Sequence, residues 1–151
     1  MSQIHHLSAA AMLMASAAAW TWPAFAAQIP QDQIPQDRPT TVDGVQTVCT
    51  GVGESKDNPR WSAYPLKLVF VNSKGQYTAG EQVDISKDGH MLMQTRCDAP
   101  WLLIKPGAGN YRVTATLQGA KGVRRTGADF SAKGQGPQKT VTFDFPAAQT
   151  G

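Results

Sequence analysis

Between Val45 and Phe145 the dominant period of apolar and polar residues is two, which is the period of a β-strand. Of eight short segments, LKLVFV and WLLIK are apolar nearly throughout, as expected of central strands. In the segment YRVTATL, Tyr111 and Val113 fall on one face and Arg112 falls on the other. Turn-forming residues separate the segments, and Asp88-Gly89 is the strongest hairpin signal among them. Beyond residue 42 no long window carries a helical stripe, so the pattern predicts an all-β chain.

The predicted strands are Val45–Thr50, Leu66–Val71, Gln82–Ser86, Met91–Thr95, Trp101–Lys105, Tyr111–Leu117, Val123–Phe130 and Lys139–Phe145. Their number and spacing favour a seven- or eight-stranded antiparallel Greek-key sandwich. We expect this sandwich to span residues 45–146 and to be followed by a flexible tail, 147–151.

The stretch KPGAGNYRVTATLQG, residues 105–119, has the glycine content of a ligand-holding loop. A phosphate-binding loop is followed by a helix N-terminus, whereas here an alternating strand begins at Tyr111. Pro106 and Gly107 suit the two central positions of a tight turn. The stretch is therefore predicted to be a corner of the sheet.

Three stretches carry a family resemblance: VFVNSKGQYTAGEQVDIS (69–86), the Asp88-Gly89 turn, and PGAGNYRVTATLQG (106–119). Together they resemble the carboxypeptidase regulatory-like, or prealbumin-like, β-sandwich domains of exported bacterial proteins. Three extra residues, 108–110, lengthen the corner relative to that pattern. The resemblance implies a prealbumin- or immunoglobulin-like Greek-key fold with a binding or accessory role and no catalytic residues to transfer.

The N-terminus has the pattern of an export signal. An apolar run, 7–20, is too short to cross a bilayer, and Ala24-Phe25-Ala26 gives the small-residue pattern of a cleavage site. The sequence predicts a signal peptide, 1–26, and a periplasmic or secreted protein. Residues 27–44, in which Ile-Pro-Gln-Asp occurs twice, are rich in proline and are predicted to form a disordered linker.

Cys49 and Cys97 are the two cysteines of the chain. In an oxidising compartment such a pair normally closes, so we expect a disulfide bond between them. A redox or metal role would call for a spacing such as Cys-x-x-Cys, which the sequence lacks.

Two groups of residues are candidates for ligand binding. Trp61 and Tyr64, in the polar stretch RWSAYP, could stack on a carbohydrate if they are exposed. Met91 and Met93 share a strand face in the predicted alternation and could bind Cu(I), joined by His90 if the strand twists or ends there. The alternative for both groups is packing in the core.

The distribution of charged residues indicates a third candidate binding site. The net charge is +3, and basic residues outnumber acidic ones after residue 97. Lys121, Arg124 and Arg125 surround a predicted hairpin and could contact an anionic surface, although a solvated face is the ordinary reading of such a cluster. The compartment and the lack of an aromatic-basic motif exclude nucleic acid, and we expect no integral membrane protein.

These observations favour a non-enzymatic binding or accessory module for a protein or envelope partner, with no cofactor. A small-ligand binder, for carbohydrate or Cu(I), is the alternative. His90 is the single histidine after the signal, whereas the enzymes that resemble this sandwich build their sites from several histidines. The identity of the partner and the oligomeric state are left open.

Overall fold

The computed structural model describes residues 33–147 as two packed β-sheets. The strands are β1 (Thr40–Val42), β2 (Val45–Thr50), β3 (Leu66–Asn72), β4 (Glu81–Lys87), β5 (His90–Cys97), β6 (Trp101–Lys105), β7 (Gly109–Gly119), β8 (Gly122–Ala132) and β9 (Lys139–Phe145). Two short 3-10 turns, Gly53–Asp57 and Pro59–Ala63, lie between β2 and β3. Within residues 33–147 there is no α-helix, and this part of the chain holds no helix of the length and apolarity needed to cross a membrane.

The larger sheet has the strand order β1-β2-β6-β3-β9, and the smaller has the order β5-β4-β7-β8. The chain begins in the larger sheet with β1 to β3 and passes to the smaller sheet for β4 and β5. It returns to the larger sheet for β6, passes to the smaller sheet for β7 and β8, and ends in the larger sheet with β9. Because β6 lies between β2 and β3, the connections cross rather than forming simple hairpins throughout. The all-β sandwich predicted from the alternation is confirmed.

All eight predicted strands are present, and three of them, β2, β6 and β9, have the predicted bounds. The pairing of the described strands is antiparallel except between β3 and β9, which run parallel. Local periodicity carries no information on the direction of a partner strand, so this exception to the antiparallel prediction could not be read from the sequence.

The core lies between the sheets and is formed by the inward-facing residue of each alternating pair. Phe70 of β3 and Phe143 of β9 have ring centroids 5.5 Å apart, and Ile85 and Val113 of the smaller sheet are fully buried opposite them. The predicted polar faces of β7 and β9 point away from this core.

The predicted Asp-Gly hairpin forms as a two-residue loop, whereas the predicted glycine corner is the connection from β6 to β7, in which the chain bends at Ala108 and has no turn at Pro106-Gly107. β7 begins at Gly109, and the Tyr111 hydroxyl donates to the Gly107 carbonyl at 2.6 Å, which ties the strand to its corner. Asp88 and Gly89 have φ of 48° and 84°, the two left-handed positions of a two-residue hairpin loop.

The prediction of a disordered linker over residues 27–44 is wrong for residues 33–44. Asp43-Gly44 forms a second hairpin loop, which pairs β1 with β2. Farther upstream, Ile34 is 2% exposed and belongs to the main core. Burial of Ile34, together with backbone hydrogen bonds from Ile34 to Arg96 and from Asp37 to Cys49, holds the segment against the sandwich. The first part of that linker, the predicted signal peptide and the tail beyond residue 147 lie outside the described residues.

The predicted disulfide bond forms between Cys49 of β2 and Cys97 of β5. Both residues are fully buried, and the bond joins the larger sheet to the smaller one. We call the place where these two strands meet, formed by Cys49, Thr50, Arg96, Cys97 and Asp98, the β2–β5 seam. Residues 33–37 lie along it.

Replacement of both cysteines by serine should lower the free energy of unfolding by about 4 kcal/mol, because the bond closes a loop with a sequence separation of 48. Urea denaturation of the double variant and the wild-type protein measures this difference. Equal denaturation midpoints for the two proteins would show that the bond does not constrain the unfolded chain as supposed.

Candidate functional site

The outer face of the larger sheet carries cations that lie over aromatic rings. Lys67 of β3 lies over Trp101 of β6, with 3.3 Å from its ammonium to the ring centroid. Beside it, Lys105 lies 4.9 Å from the ring of Tyr64. Alternation explains this placement, since the neighbours Leu66 and Leu68 enter the core and turn Lys67 outward.

Lys67 is half-buried and has no carboxylate within 4.0 Å in the described part of the chain. Burial lowers the pKa of its ammonium group, since a charged group loses hydration there. Gly51 also lies against the Trp101 ring, since a Cβ added there would lie 2.7 Å from a ring atom. Trp101 thus contacts both the Gly51 backbone and the Lys67 ammonium, and within the described residues no acidic side chain forms an ion pair with Lys67.

A depression of about 400 Å³ opens beside Lys67, between the two 3-10 turns and the sheet. Its lining comprises Lys56, Asp57, Asn58, Pro59, Trp61, Ser62, Lys67, Trp101, Leu103 and Gln138. We call it the Lys67 pocket. Asp57, its one acidic lining residue, is paired with Lys56 at 2.5 Å. The charge of Lys67 is consequently not neutralised within the pocket.

Two further features characterise the surroundings of Trp101. The indole Nε1 of Trp101 is buried and has no hydrogen-bond acceptor among the described residues. Tyr77 packs edge-on to Trp101 with ring centroids 6.3 Å apart, and 61% of Tyr77 is exposed. The surface thus combines an unpaired cation with an exposed aromatic ring, while the unpaired indole nitrogen lies beneath it.

The predicted stacking pair Trp61 and Tyr64 is not a free platform. Trp61 is 5% exposed and Tyr64 is 4% exposed, and both pack with Val48 and Leu103 in a second, smaller core on the outer face of the sheet. The loop lies on apolar residues of β2 and β6 and buries the rings against them. Trp61 still contributes to the lining of the Lys67 pocket, whereas Tyr64 does not.

The prediction that Met91 and Met93 share a strand face is wrong. The register of β4 and β5 shifts between Ile85 and Ser86, so that Met93 pairs with Ile85 and Met91 pairs with Ser86. This bulge adds a residue and turns Met91 out, 58% exposed, while Met93 is 1% exposed in the core. His90 is exposed at the start of the strand. In the described residues no three His, Cys, Asp or Glu side chains form a metal-binding group.

The predicted cationic hairpin forms between β7 and β8. Lys121, Arg124 and Arg125 line a depression of about 210 Å³ near Pro146. Arg124 is half-buried and Arg125 is exposed, as expected for neighbours on opposite faces of a strand. Their contact with an anionic surface stays a prediction.

A larger depression, of about 570 Å³, lies at the other end of the smaller sheet. Its polar groups pair with one another: the Asn110 amide donates to Asp88, Ser131 donates to the Asn110 side chain, and Arg112 is bonded to Asp129. Such satisfied groups offer a ligand less than the unpaired cation of the Lys67 pocket does.

Glu81 is a fully buried acid at the start of β4. Neither of its carboxylate oxygens accepts a hydrogen bond of normal geometry from the described residues. Burial raises the pKa of Glu81 to about 7; the nearby Thr78 hydroxyl opposes this shift, and the charge of Asp98 adds to it. Since Glu81 pairs with Cys97 across the sheet, the acid lies next to the disulfide bond and the β2–β5 seam.

No family model, curated protein or solved structure matches this chain. The resemblance to carboxypeptidase regulatory-like domains stays a prediction.

Sequence reasoning missed both Lys67 and Glu81 as candidates. A signal for Lys67 was available, because it is the one charged residue in the otherwise apolar segment LKLVFV. Glu81 lies two residues before the buried Val83 and four before the buried Ile85, so in a strand its side chain is on the same face as theirs. A predicted strand that began at Glu81 instead of Gln82 would therefore have indicated a buried acid. Their lack of partners depends on the tertiary packing.

The two methionines provide a matched test of the bulge. Met93→Ala should lower the free energy of unfolding by about 2 to 5 kcal/mol because it leaves a cavity, whereas Met91→Ala should change it by less than about 0.5 kcal/mol. Chemical denaturation of both variants measures the difference. Similar losses in the two variants would contradict the bulged register.

Glu81 should make the protein more stable in acid than at neutral pH. Its folded pKa of about 7 lies above the ordinary value of 4.5, so the folded state holds the extra proton between these values. Its contribution is fully present below pH 4.5 and is lost as the pH rises through 7. The loss should reach about 3 kcal/mol, given 1.36 kcal/mol per pKa unit.

Glu81→Gln removes the titrating group and should remove this part of the pH dependence. Urea denaturation from acid to mildly alkaline pH compares the variant with the wild-type protein. Asp129→Asn is the control for an exposed acid. The assignment would fail if wild-type protein and Glu81→Gln showed the same slope of stability against pH.

Proposed function

We propose that the protein is an exported, non-enzymatic β-sandwich module that binds an acidic polysaccharide of the cell envelope through the Lys67 pocket. The signal-like N-terminus and the disulfide bond support export. The chemistry of the pocket supports binding of an anionic group.

The observation that carries this proposal is the unpaired ammonium of Lys67. A half-buried cation in contact with an aromatic ring and without a carboxylate partner gains most from an anionic ligand, because a ligand carboxylate replaces lost hydration with a charge-assisted hydrogen bond. Its position beside a depression leaves room for the rest of the ligand.

The aromatic surface supports a sugar as the carrier of the anionic group. Tyr77 is largely exposed next to Trp101, and sugar rings present apolar faces that pack on such side chains. Arg60, over the Trp61 ring at 5.4 Å, adds positive charge at the same end of the sheet. Repeating acidic sugars could engage several of these groups at once.

Lys67→Gln should weaken binding to an acidic polysaccharide about tenfold to a hundredfold, the loss expected for one charge-assisted hydrogen bond. Polygalacturonate is the probe, neutral dextran is the ligand control, and calorimetry measures the affinity. Lys121→Gln in the cationic hairpin is the matched control and should bind as the wild-type protein does.

Binding to polygalacturonate should also weaken as salt rises, since the contact is electrostatic. Tyr77→Ala should reduce affinity without changing the salt dependence. Loss of binding in Lys121→Gln but not in Lys67→Gln would transfer the site to the hairpin. Equal affinity for polygalacturonate and dextran would contradict the acidic ligand.

A further inference from the structure

The two edges of the smaller sheet differ in what covers them. The edge strand β5 is held by the disulfide bond and by residues 33–37, where Gln33 bridges Arg96. Within the described residues, the other edge strand, β8, pairs with β7 alone. Its 11 residues follow one continuous register with β7, without a bulge, and contain no proline. A long and regular edge strand of this kind offers a row of backbone groups to another strand.

The core-facing side of β8 is only partly covered. In β7 the inward residues Tyr111, Val113, Ala115 and Leu117 are buried, whereas the inward residues of β8 are half-buried. Phe130 of β8, for example, stacks on Tyr111 with ring centroids 5.9 Å apart but stays partly exposed. A strand added beside β8 would therefore cover apolar surface as well as bond to the backbone.

The hydrogen bonds around β7 show which backbone groups of β8 point to the open edge. The Asn110 carbonyl of β7 accepts from the Asp88 amide at 2.8 Å, so Asn110 and every second residue after it point away from β8. Their partners in β8, the odd-numbered residues from 123 to 131, consequently point to the open edge. In agreement with this, the Ser131 carbonyl accepts from the Lys139 ammonium at 3.4 Å.

The charges on the outer face of β8 are arranged symmetrically about Gly127. Arg125 lies two residues before this glycine and Asp129 lies two residues after it, and all three are exposed. Asp129 accepts two hydrogen bonds from Arg112, whereas Arg125 has no carboxylate within 4.0 Å in the described part of the chain. The Arg125 Nε donates only to the Thr116 hydroxyl, at 3.4 Å.

We propose that β8 pairs with β8 of a second copy of this chain, antiparallel and centred on Gly127. Two four-stranded sheets would then form one continuous sheet. The interface is isologous, since Arg125 of each chain lies opposite Asp129 of the other. In this register the odd-numbered residues that point to the open edge also lie opposite one another, as an antiparallel ladder requires.

The charge pattern is the reason to choose a second copy as the occupant. Opposite charges directly across two strands stabilise their pairing, and like charges destabilise it. Centring the pair on Arg125 instead would place this arginine opposite its own counterpart. No register centred one or two residues away from Gly127 places Arg125 opposite Asp129, so the charges select a single register.

Two charge reversals in the exported chain test this proposal. Arg125→Asp and Asp129→Arg each place like charges opposite one another, and each should raise the dissociation constant of the dimer about tenfold to a hundredfold. An equimolar mixture of the two variants should dimerise again, because one chain then carries two acidic side chains and the other carries two basic ones. Sedimentation velocity over a concentration series measures each constant.

Lys74→Asp is the matched control, because it makes the same change of charge in the connection between β3 and β4. It should dimerise as the wild-type protein does. A wild-type protein that sediments as a monomer up to its solubility limit would overturn the proposal. So would a mixture that dimerises no better than its two components, or a dimer that neither charge reversal weakens.

Hydrogen exchange of the wild-type protein gives a second readout. The amides of Arg125, Gly127 and Asp129 point to the open edge and should become protected as the protein concentration rises. The amides of Thr126 and Ala128 point to β7 and should be protected at every concentration. Protection of the first group that does not depend on concentration would contradict pairing with a second copy.

Discussion

The bond between Cys49 and Cys97 is the constraint on which much of this structure depends. It joins β2 of the larger sheet to β5, an edge strand of the smaller sheet. The N-terminal segment lies along the same seam and buries Ile34 there. The buried acid Glu81 pairs with Cys97, so one small region combines a covalent link, a docked segment and a titratable group. The effects of disulfide reduction, of pH and of changes in the N-terminal segment on the stability of the fold should all depend on this region.

The outer face of the larger sheet has a different role. Its apolar residues, such as Val48 and Leu103, are covered by the loop that buries Trp61 and Tyr64. Beyond the edge of that cover, Lys67 is left beside a depression without a carboxylate partner. A partly desolvated cation contributes little to folding by itself, and this is the physical reason to regard it as a binding group.

Secondary structure was predictable to a large extent because strand periodicity and turn chemistry are local. The alternation in Tyr111–Leu117 and the Asp88-Gly89 turn each needed only neighbouring residues, and both predictions are confirmed. Asp43-Gly44 carries the same turn signal, but the prolines upstream led to its assignment to a linker. Candidate binding residues were predicted less well, since the exposure of Trp61 depends on what its loop lies against.

By itself the sequence determined the strand pattern, the hairpin turns and the pairing of the two cysteines, because each follows from local geometry or from there being a single partner. Tertiary structure alone decided the parallel pairing of β9, the bulge that separates Met91 from Met93, and the docking of Ile34. These features depend on which strand edges and core spaces are still unoccupied when the two sheets pack. That outcome is a property of the assembled core, and no short window of the chain contains it.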